Sequence, residues 1–376
     1  MVKFLEKKGG VRMKKLEKEY EEKLVLLGKK LIDQEKCRII VEPYERNKGF
    51  WFGGGKIRKD KEGRIILTGR YRNAGDSRYG VSKGERGLEL ALFVSEDNGK
   101  SFEKLKSWNK KDLSYENKVL SIEGSSIYFG EKIKLYVSSE KEIKYPEGFE
   151  KYQKEGTGVW NIDVFVAETI EKLEPGNIKN ILSSSNPENI HIKDPVVFEM
   201  KGEEYIIYCQ HPFCWSCSYT GAGIVKGEKV EIITKDILPK GYTWDVAVTR
   251  VTERLPVPKV GVFKDLPDIS LYFYDGAECI REHPQSEKGV KRPRGYSCEE
   301  IGGLAYGFDD EFPVIYRLSR YFPLFYSSEG TGCSRYVSAF FDGEKIFVTW
   351  QRSFSDFSQP LVMNVVEIDE IEEVLK

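Results

Sequence analysis

Few features of the 376-residue sequence point to cofactors, membranes or nucleic acid. There are only three histidines, His191, His211 and His283, too few and too scattered for a histidine-rich metal site. Seven cysteines in a chain of this length do not make a disulfide framework, and their odd number argues the same way. Cys214-Trp215-Ser216-Cys217 matches Cys-x-x-Cys but lacks a second pair and a thioredoxin-like setting. No run of about eighteen apolar residues occurs, and Met1 to Gly10 has no apolar core of a secretory signal. A cytoplasmic protein with no membrane partner is therefore expected. The 59 basic and 60 acidic residues leave a net charge of −1, which gives no general affinity for nucleic acid. Gly53-Gly54-Gly55 opens no helix, so it is not a phosphate loop, and no Ser-His-Asp elbow is found. No cofactor and no metal are expected.

What is present is a well-filled chain, 40% hydrophobic and 13% aromatic, enough for a sizeable core. Charged residues reach 32%, mostly Lys and Glu, a composition common in heat-adapted proteins with surface ion-pair networks. One helix is predicted. Leu16, Tyr20, Leu24, Leu27 and Leu31 recur at helical spacing within Met13 to Ile32, which reads as an amphipathic helix packed on the main domain. Residues 1–36 are read as this extension and 37–376 as one all-β domain.

From Cys37 onward, short runs of Ile, Val, Tyr and Phe end in Gly, Asn or Asp turns. A unit of apolar strand, charged-Gly turn and second apolar strand recurs at Lys56–Leu67, Ser126–Val137, Pro195–Tyr208 and Tyr336–Trp350. A degenerate copy runs from Val246–Arg250 to Lys259–Phe263. The clear turns lie at Gly63, Gly130, Gly202 and Gly343, about 70 residues apart once the weak copy divides the double gap. Four strands and their loops fill that length, so five units predict a five-bladed β-propeller. Glu96-Asp97-Asn98-Gly99 supplies an Asn-Gly hairpin between two further strands.

The inner strands of a propeller converge on its axis. Carboxylates stand beside three successive apolar runs: Glu123 in Ser121–Ser125, Asp194 in His191–Pro195 and Asp245 in Thr243–Val246. Propeller geometry predicts that the three meet at one axial mouth, about 5–10 Å apart, the range used by two-carboxylate glycosidases. One carboxylate would serve as acid and another as base or nucleophile. Arg70 and Arg72 alternate along a first-blade strand, and Arg335 begins the last inner strand. With Trp51 and Trp244 they form the expected substrate-binding set, the aromatics stacking on sugar faces.

His191-Ile192-Lys193-Asp194-Pro195-Val196-Val197-Phe198 resembles the Asp-Pro strand of five-bladed glycosidases of the arabinanase/xylosidase and invertase/levansucrase groups. The resemblance implies that Asp194 holds the sugar or tunes the acid, and that Glu123 or Asp245 is catalytic. Those families usually carry an Asp on the first inner strand, where this sequence reads Gly49-Phe50-Trp51-Phe52-Gly53-Gly54-Gly55. Ser95-Glu96-Asp97-Asn98-Gly99-Lys100-Ser101-Phe102 is similar to the Asp box of sialidases, a hairpin brace remote from the active site. No matching sialidase arginine motif accompanies it. The expected activity is an intracellular glycoside hydrolase acting on short oligosaccharides, its partner a carbohydrate substrate. A glycoside phosphorylase and a non-catalytic glycan- or protein-binding propeller are the alternatives, and the oligomeric state stays open.

Overall fold

A computed structural model describes residues 2–6, 12–73, 85–278 and 299–376. It begins with a hairpin of β1 (Val2–Glu6) and β2 (Arg12–Leu16), then helix α1 (Lys18–Leu31) and strand β3 (Arg38–Val41). The first blade contains β4 (Trp51–Gly53), β5 (Ile57–Lys59), β6 (Ile65–Asn73), β7 (Glu85–Ser95) and β8 (Glu103–Asn109). The second has β9 (Val119–Phe129), β10 (Ile133–Lys141), β11 (Val159–Ala167) and β12 (Lys179–Leu182). The third has β13 (His191–Met200), β14 (Glu203–His211), β15 (Tyr219–Lys226) and β16 (Lys229–Thr234). The fourth has β17 (Val248–Pro256), β18 (Ile269–Ala277), β19 (Ile301–Phe308) and β20 (Tyr316–Arg317). The last has β21 (Ser334–Phe341), β22 (Lys345–Arg352) and β23 (Leu361–Glu367), and helix α2 (Ile368–Leu375) follows. Its fourth strand is β3, paired antiparallel to β23. The ring therefore closes by joining an early strand to a late one, and the fold is a five-bladed β-propeller.

Turn chemistry explains most of the hairpins. Gly63, Gly202 and Gly343 have φ of 86°, 74° and 103°, a region other residues enter at a cost. The fourth copy departs from its expected pattern. Its second strand is Ile269–Ala277, whereas Gly261–Phe263 forms a 3-10 turn with Phe263 in the core. β17 runs on through Pro256, opposite Ser270, and Val257 N still donates to the Ile269 carbonyl; Pro258, without an N–H, follows this last ladder bond.

Helix α1 starts five residues later than the periodicity suggested, because Arg12–Leu16 pairs as a strand. Leu24, Leu27 and Leu31 are fully buried against Leu304, Val362 and Leu375 of one large cluster. Burying each such side chain contributes about 1.5–3 kcal/mol. Gly28 permits this close approach, since a Cβ there would meet Leu304 at 2.8 Å. The carbonyls of Lys30 and Leu31 at the helix end accept from Asn364 Nδ2, at 3.2 and 3.0 Å. No helix of the described residues is long and apolar enough to cross a membrane.

Every inner strand is interrupted at the same height. On β9, Glu123 and Gly124 lie where the register with β10 shifts; on β13 the residues are Asp194 and Pro195; on β21 they are Tyr336 and Val337. In the first blade, Gly54 and Gly55 fall in the break between β4 and β5. In the fourth, Thr252 is the extra residue of β17. Such bulges bend a strand and re-aim a side chain. Gly54, Asp194 and Tyr336 all take positive φ, at 71°, 55° and 54°. The sequence places Asp194 and Glu123 beside strands; the structure puts both inside one.

Below the bulges the blades are tied by buried ions. Glu253 on β17 accepts from both terminal nitrogens of Arg58 (2.8 and 2.9 Å), from Ser338 Oγ (2.7 Å) and from Ala339 N (3.1 Å). One carboxylate thus joins the first, fourth and last blades. Lys56, also buried, donates to the Thr252 carbonyl. Burial lowers its amine to about 8, although the neighbouring Glu253 works against the shift.

Candidate active site

The inner strands surround an axial cavity of about 170 Å³. Its lining includes Trp51, Arg70, Arg72, Glu123, Lys193, His211, Trp215, Arg250, Glu300, Arg335 and Tyr336. All five blades contribute. The volume is below the roughly 300–1,000 Å³ of drug-sized sites and suits one sugar ring.

At the centre, Arg250 on β17 donates to Asp194 Oδ2 at 3.1 Å and to Asp275 Oδ2 at 2.7 Å, and lies 2.7 Å from Glu300 Oε2. The Asp194 carboxylate also accepts from Gly124 N (3.1 Å), so it links three blades. Asp275, at the end of β18, accepts the Tyr336 N–H at 3.1 Å. Glu300, just before β19, is shared between Arg250 and Arg335, the latter at 2.5 Å. Glu123 accepts from Arg70 Nη2 (3.0 Å) and Nε (3.2 Å).

These arrangements separate the carboxyl groups by charge state. Burial pushes Glu123 up, but Arg70, Lys193 and Arg72 outweigh it, and the value falls to about 2. Burial opposes ionisation of Glu300 too, yet Arg250 and Arg335 hold it well below the usual carboxylate range. At Asp275 burial wins. Arg250 offsets it in part, Glu300 repels it, and the value rises to about 6. Glu123 and Glu300, both in the cavity lining, are therefore ionised at neutral pH, whereas Asp275 beneath them keeps its proton up to about pH 6. The Tyr336 hydroxyl is driven well above its usual value by burial and is neutral.

Aromatic rings form the walls. Trp51 is flanked by the guanidinium groups of Arg72 (4.3 Å) and Arg335 (4.5 Å). Tyr336 lies under Arg250 (4.1 Å), Arg335 (5.3 Å) and Arg70 (5.5 Å). Trp215 takes φ of 54° and sits between His191 and His211, with ring centroids at 4.2 and 4.4 Å. Both histidines are held neutral by burial, His191 at about 3 and His211 well below its ordinary value. His211 Nδ1 donates to the Cys217 carbonyl at 3.0 Å, which fixes its tautomer. The Cys-Trp-Ser-Cys loop thus presents a tryptophan to the cavity, and Cys214 and Cys217 are free thiols.

Of the residues singled out in the sequence, Glu123, Asp194, Arg70, Arg72, Arg335 and Trp51 are brought together here. Asp245 and Trp244 are not. The fourth inner strand starts at Val248, so Asp245 precedes it and turns to the far side of β18. There it accepts from Tyr274 Oη (2.9 Å) and Arg317 Nε (2.8 Å) and is fully buried. Trp244 stacks on Tyr274 at 5.6 Å and donates to the Ser319 carbonyl, within the core of that blade. Asp275 and Glu300 take the axial place instead. Asp275-Gly276 looks like a turn in sequence, and Glu300 opens a third strand, where an inner-strand pattern does not reach.

Gly54 and Gly55 leave the first-blade break without a side chain, which agrees with the missing acidic residue there. The Asp-box hairpin also forms as expected. Asp97 accepts from Ser95 Oγ, Ser101 N and Ser101 Oγ, at 2.8, 2.9 and 2.6 Å, remote from the cavity.

No family model matches the sequence, and no curated protein matches it. Solved structures do match its shape. A complex of BT0996 with RGII superposes with a TM-score of 0.59 at 9% identity, covering 93% of this protein and 96% of that one. The alpha-L-arabinofuranosidase of Lactobacillus brevis gives 0.54 at 11% identity, covering 87% and 92%. A thermostable family-43 glycoside hydrolase gives 0.51 at 13% identity, covering 86% and 92%. This protein has the five-bladed β-propeller of the arabinofuranosidase and the family-43 hydrolase.

Proposed function

We propose that the protein is a glycoside hydrolase that removes single sugar units from short oligosaccharides in the axial cavity. The observation that carries this reading is the pair Glu123 and Glu300, two ionised carboxylates lining one small aromatic-walled cavity. Ionised carboxylates stabilise an oxocarbenium-like transition state and act as base or nucleophile. Trp51 and Trp215 supply faces for a sugar ring. Asp194, Asp275 and Arg250 support them from below as positioning residues. The fold, shared with arabinofuranosidases and family-43 hydrolases, favours the same chemistry by analogy.

A panel of nitrophenyl glycosides and reduced oligosaccharides tests the proposal. One substrate should be cleaved without added phosphate. Glu123→Gln and Glu300→Gln should each lower turnover by at least about 100-fold with unchanged circular dichroism. Full activity in both variants would remove the axial cavity from consideration. Cleavage that requires phosphate would identify a phosphorylase.

A further inference from the structure

We propose that the sugar held in this cavity is acidic, a uronic-acid type whose carboxylate is taken by Lys193 and Arg70. The inference rests on the glycosidase reading of the same cavity and adds the substrate class.

Most cations of the site are already committed. Arg250 is spent on three carboxylates, and Arg335 on Glu300 and Gln359. Lys193 and Arg70 are different. Among the described residues the one carboxylate within ion-pair distance of Lys193 Nζ is Asp194, with Oδ2 at 3.9 Å, beyond hydrogen-bond reach. Its ammonium lies over the faces of Trp160 (5.3 Å) and Trp215 (5.7 Å), its charge acts on Glu123 and Glu300 without an ion-pair contact, and its side chain is 11% exposed. Arg70 is 3% exposed and places Nε and Nη2 on Glu123, while its buried Nη1 has no hydrogen-bond partner among the described residues. Leaving charged donors unsatisfied in a buried site is costly, and a ligand that supplies the acceptors recovers that cost. Sugar hydroxyls can accept from them. A carboxylate accepts better, because both partners are then charged.

The placement has a second consequence. Glu123 is faced by Arg70 and Arg72 from β6, Lys193 and Asp194 from β13, Glu140 from β10 and the Tyr336 phenol from β21. A substrate carboxylate seated on Lys193 and Arg70 adds negative charge beside Glu123 and shares two of the three cations, Arg70, Lys193 and Arg72, that keep it ionised, which raises its proton affinity.

Titration calorimetry on the full-length protein tests this with D-galacturonate and D-glucuronate against D-galactose and D-glucose, with inorganic phosphate as a further arm. The uronates should bind at least about tenfold more tightly than their neutral counterparts. Lys193→Met should bring uronate binding to parity with the neutral sugar, and Lys193→Arg should retain the preference. Parity in the unaltered protein overturns the acidic class, while neutral-sugar binding that is lost in Glu300→Gln leaves the glycosidase reading standing. Phosphate binding more tightly than either uronate also overturns it. Binding of no sugar at all overturns both readings.

Discussion

Replacing Arg250 by methionine should destabilise the protein in a way that depends on pH. Arg250 is 2% exposed and lies within 3.1 Å of oxygens on Asp194, Asp275 and Glu300. Removing one member of a buried ion pair typically costs about 3–5 kcal/mol. Three carboxylates lose a partner here, but each keeps another: Gly124 N for Asp194, Tyr336 N for Asp275 and Arg335 for Glu300. Methionine also fills much of the space. The expected loss at pH 8 is therefore about 3–5 kcal/mol in total, not that amount three times over. Asp275 sets the pH dependence. Its folded value of about 6 exceeds the ordinary 3.8, so between these values the folded protein holds more protons at this site than the unfolded chain. Its contribution to stability accordingly falls as pH rises through about 6. Without Arg250 the value rises further, and the window in which acid stabilises the protein widens upward. Urea melts at pH 8.0 and 5.5 read this directly. The variant should recover at least about 1 kcal/mol of its deficit at the lower pH, and Asp275→Asn should recover a similar part at pH 8. A deficit below about 1 kcal/mol at pH 8, or one unchanged by pH and by Asp275→Asn, would refute the account of Arg250 as the axial counter-ion.

Other outcomes follow from the same structure. Glu253→Gln leaves Arg58 and Lys56 facing a neutral amide and should cost about 3 kcal/mol in urea melts. The unaltered carboxylate has a lowered value, because Arg58 and Lys56 outweigh burial, so its stabilisation is present above about pH 4.5 and fades as pH falls below it. Deleting residues 2–41 removes the fourth strand of the last blade and the leucine face of α1; the product should lack a cooperative melt. Asp97→Ala should lower the melting temperature slightly and leave turnover unchanged, since that hairpin is remote from the cavity. Asp245→Asn should likewise weaken folding around Arg317 and spare the chemistry; loss of turnover in a folded Asp245→Asn variant would count against the site as drawn.

The propeller was legible because its hairpins depend on local chemistry. A Gly directly after a charged residue between two apolar runs marks a tight turn, and Gly63, Gly202 and Gly343 do so here, each at positive φ. The fourth blade was blurred because its first strand runs on to Pro256 and a loop with a 3-10 turn at Gly261–Phe263 precedes the second strand at Ile269. Site residues on the inner strands, such as Glu123, Asp194 and Arg335, could be read from their repeat position. The bulges could not, because a residue at positive φ such as Tyr336 carries no compositional mark. Asp245 illustrates the cost: three residues of loop before Val248 suffice to turn a carboxylate away from the axis. Asp275 and Glu300 reach the centre from second and third strands, a relation set by the tilt of a blade and absent from linear spacing.

The pairing of β3 with β23 also orders events in time. During synthesis the first four blades emerge and can form their own hairpins, but the partner of Arg38–Val41 leaves the ribosome only near the end. Until then β3 is an unpaired edge, open to the wrong neighbour. The cavity belongs to the closed ring, because Arg335 and Tyr336 come from that last blade. A partly made polypeptide can therefore hold folded blades while having no binding site, and the capacity to bind arrives in a single late step.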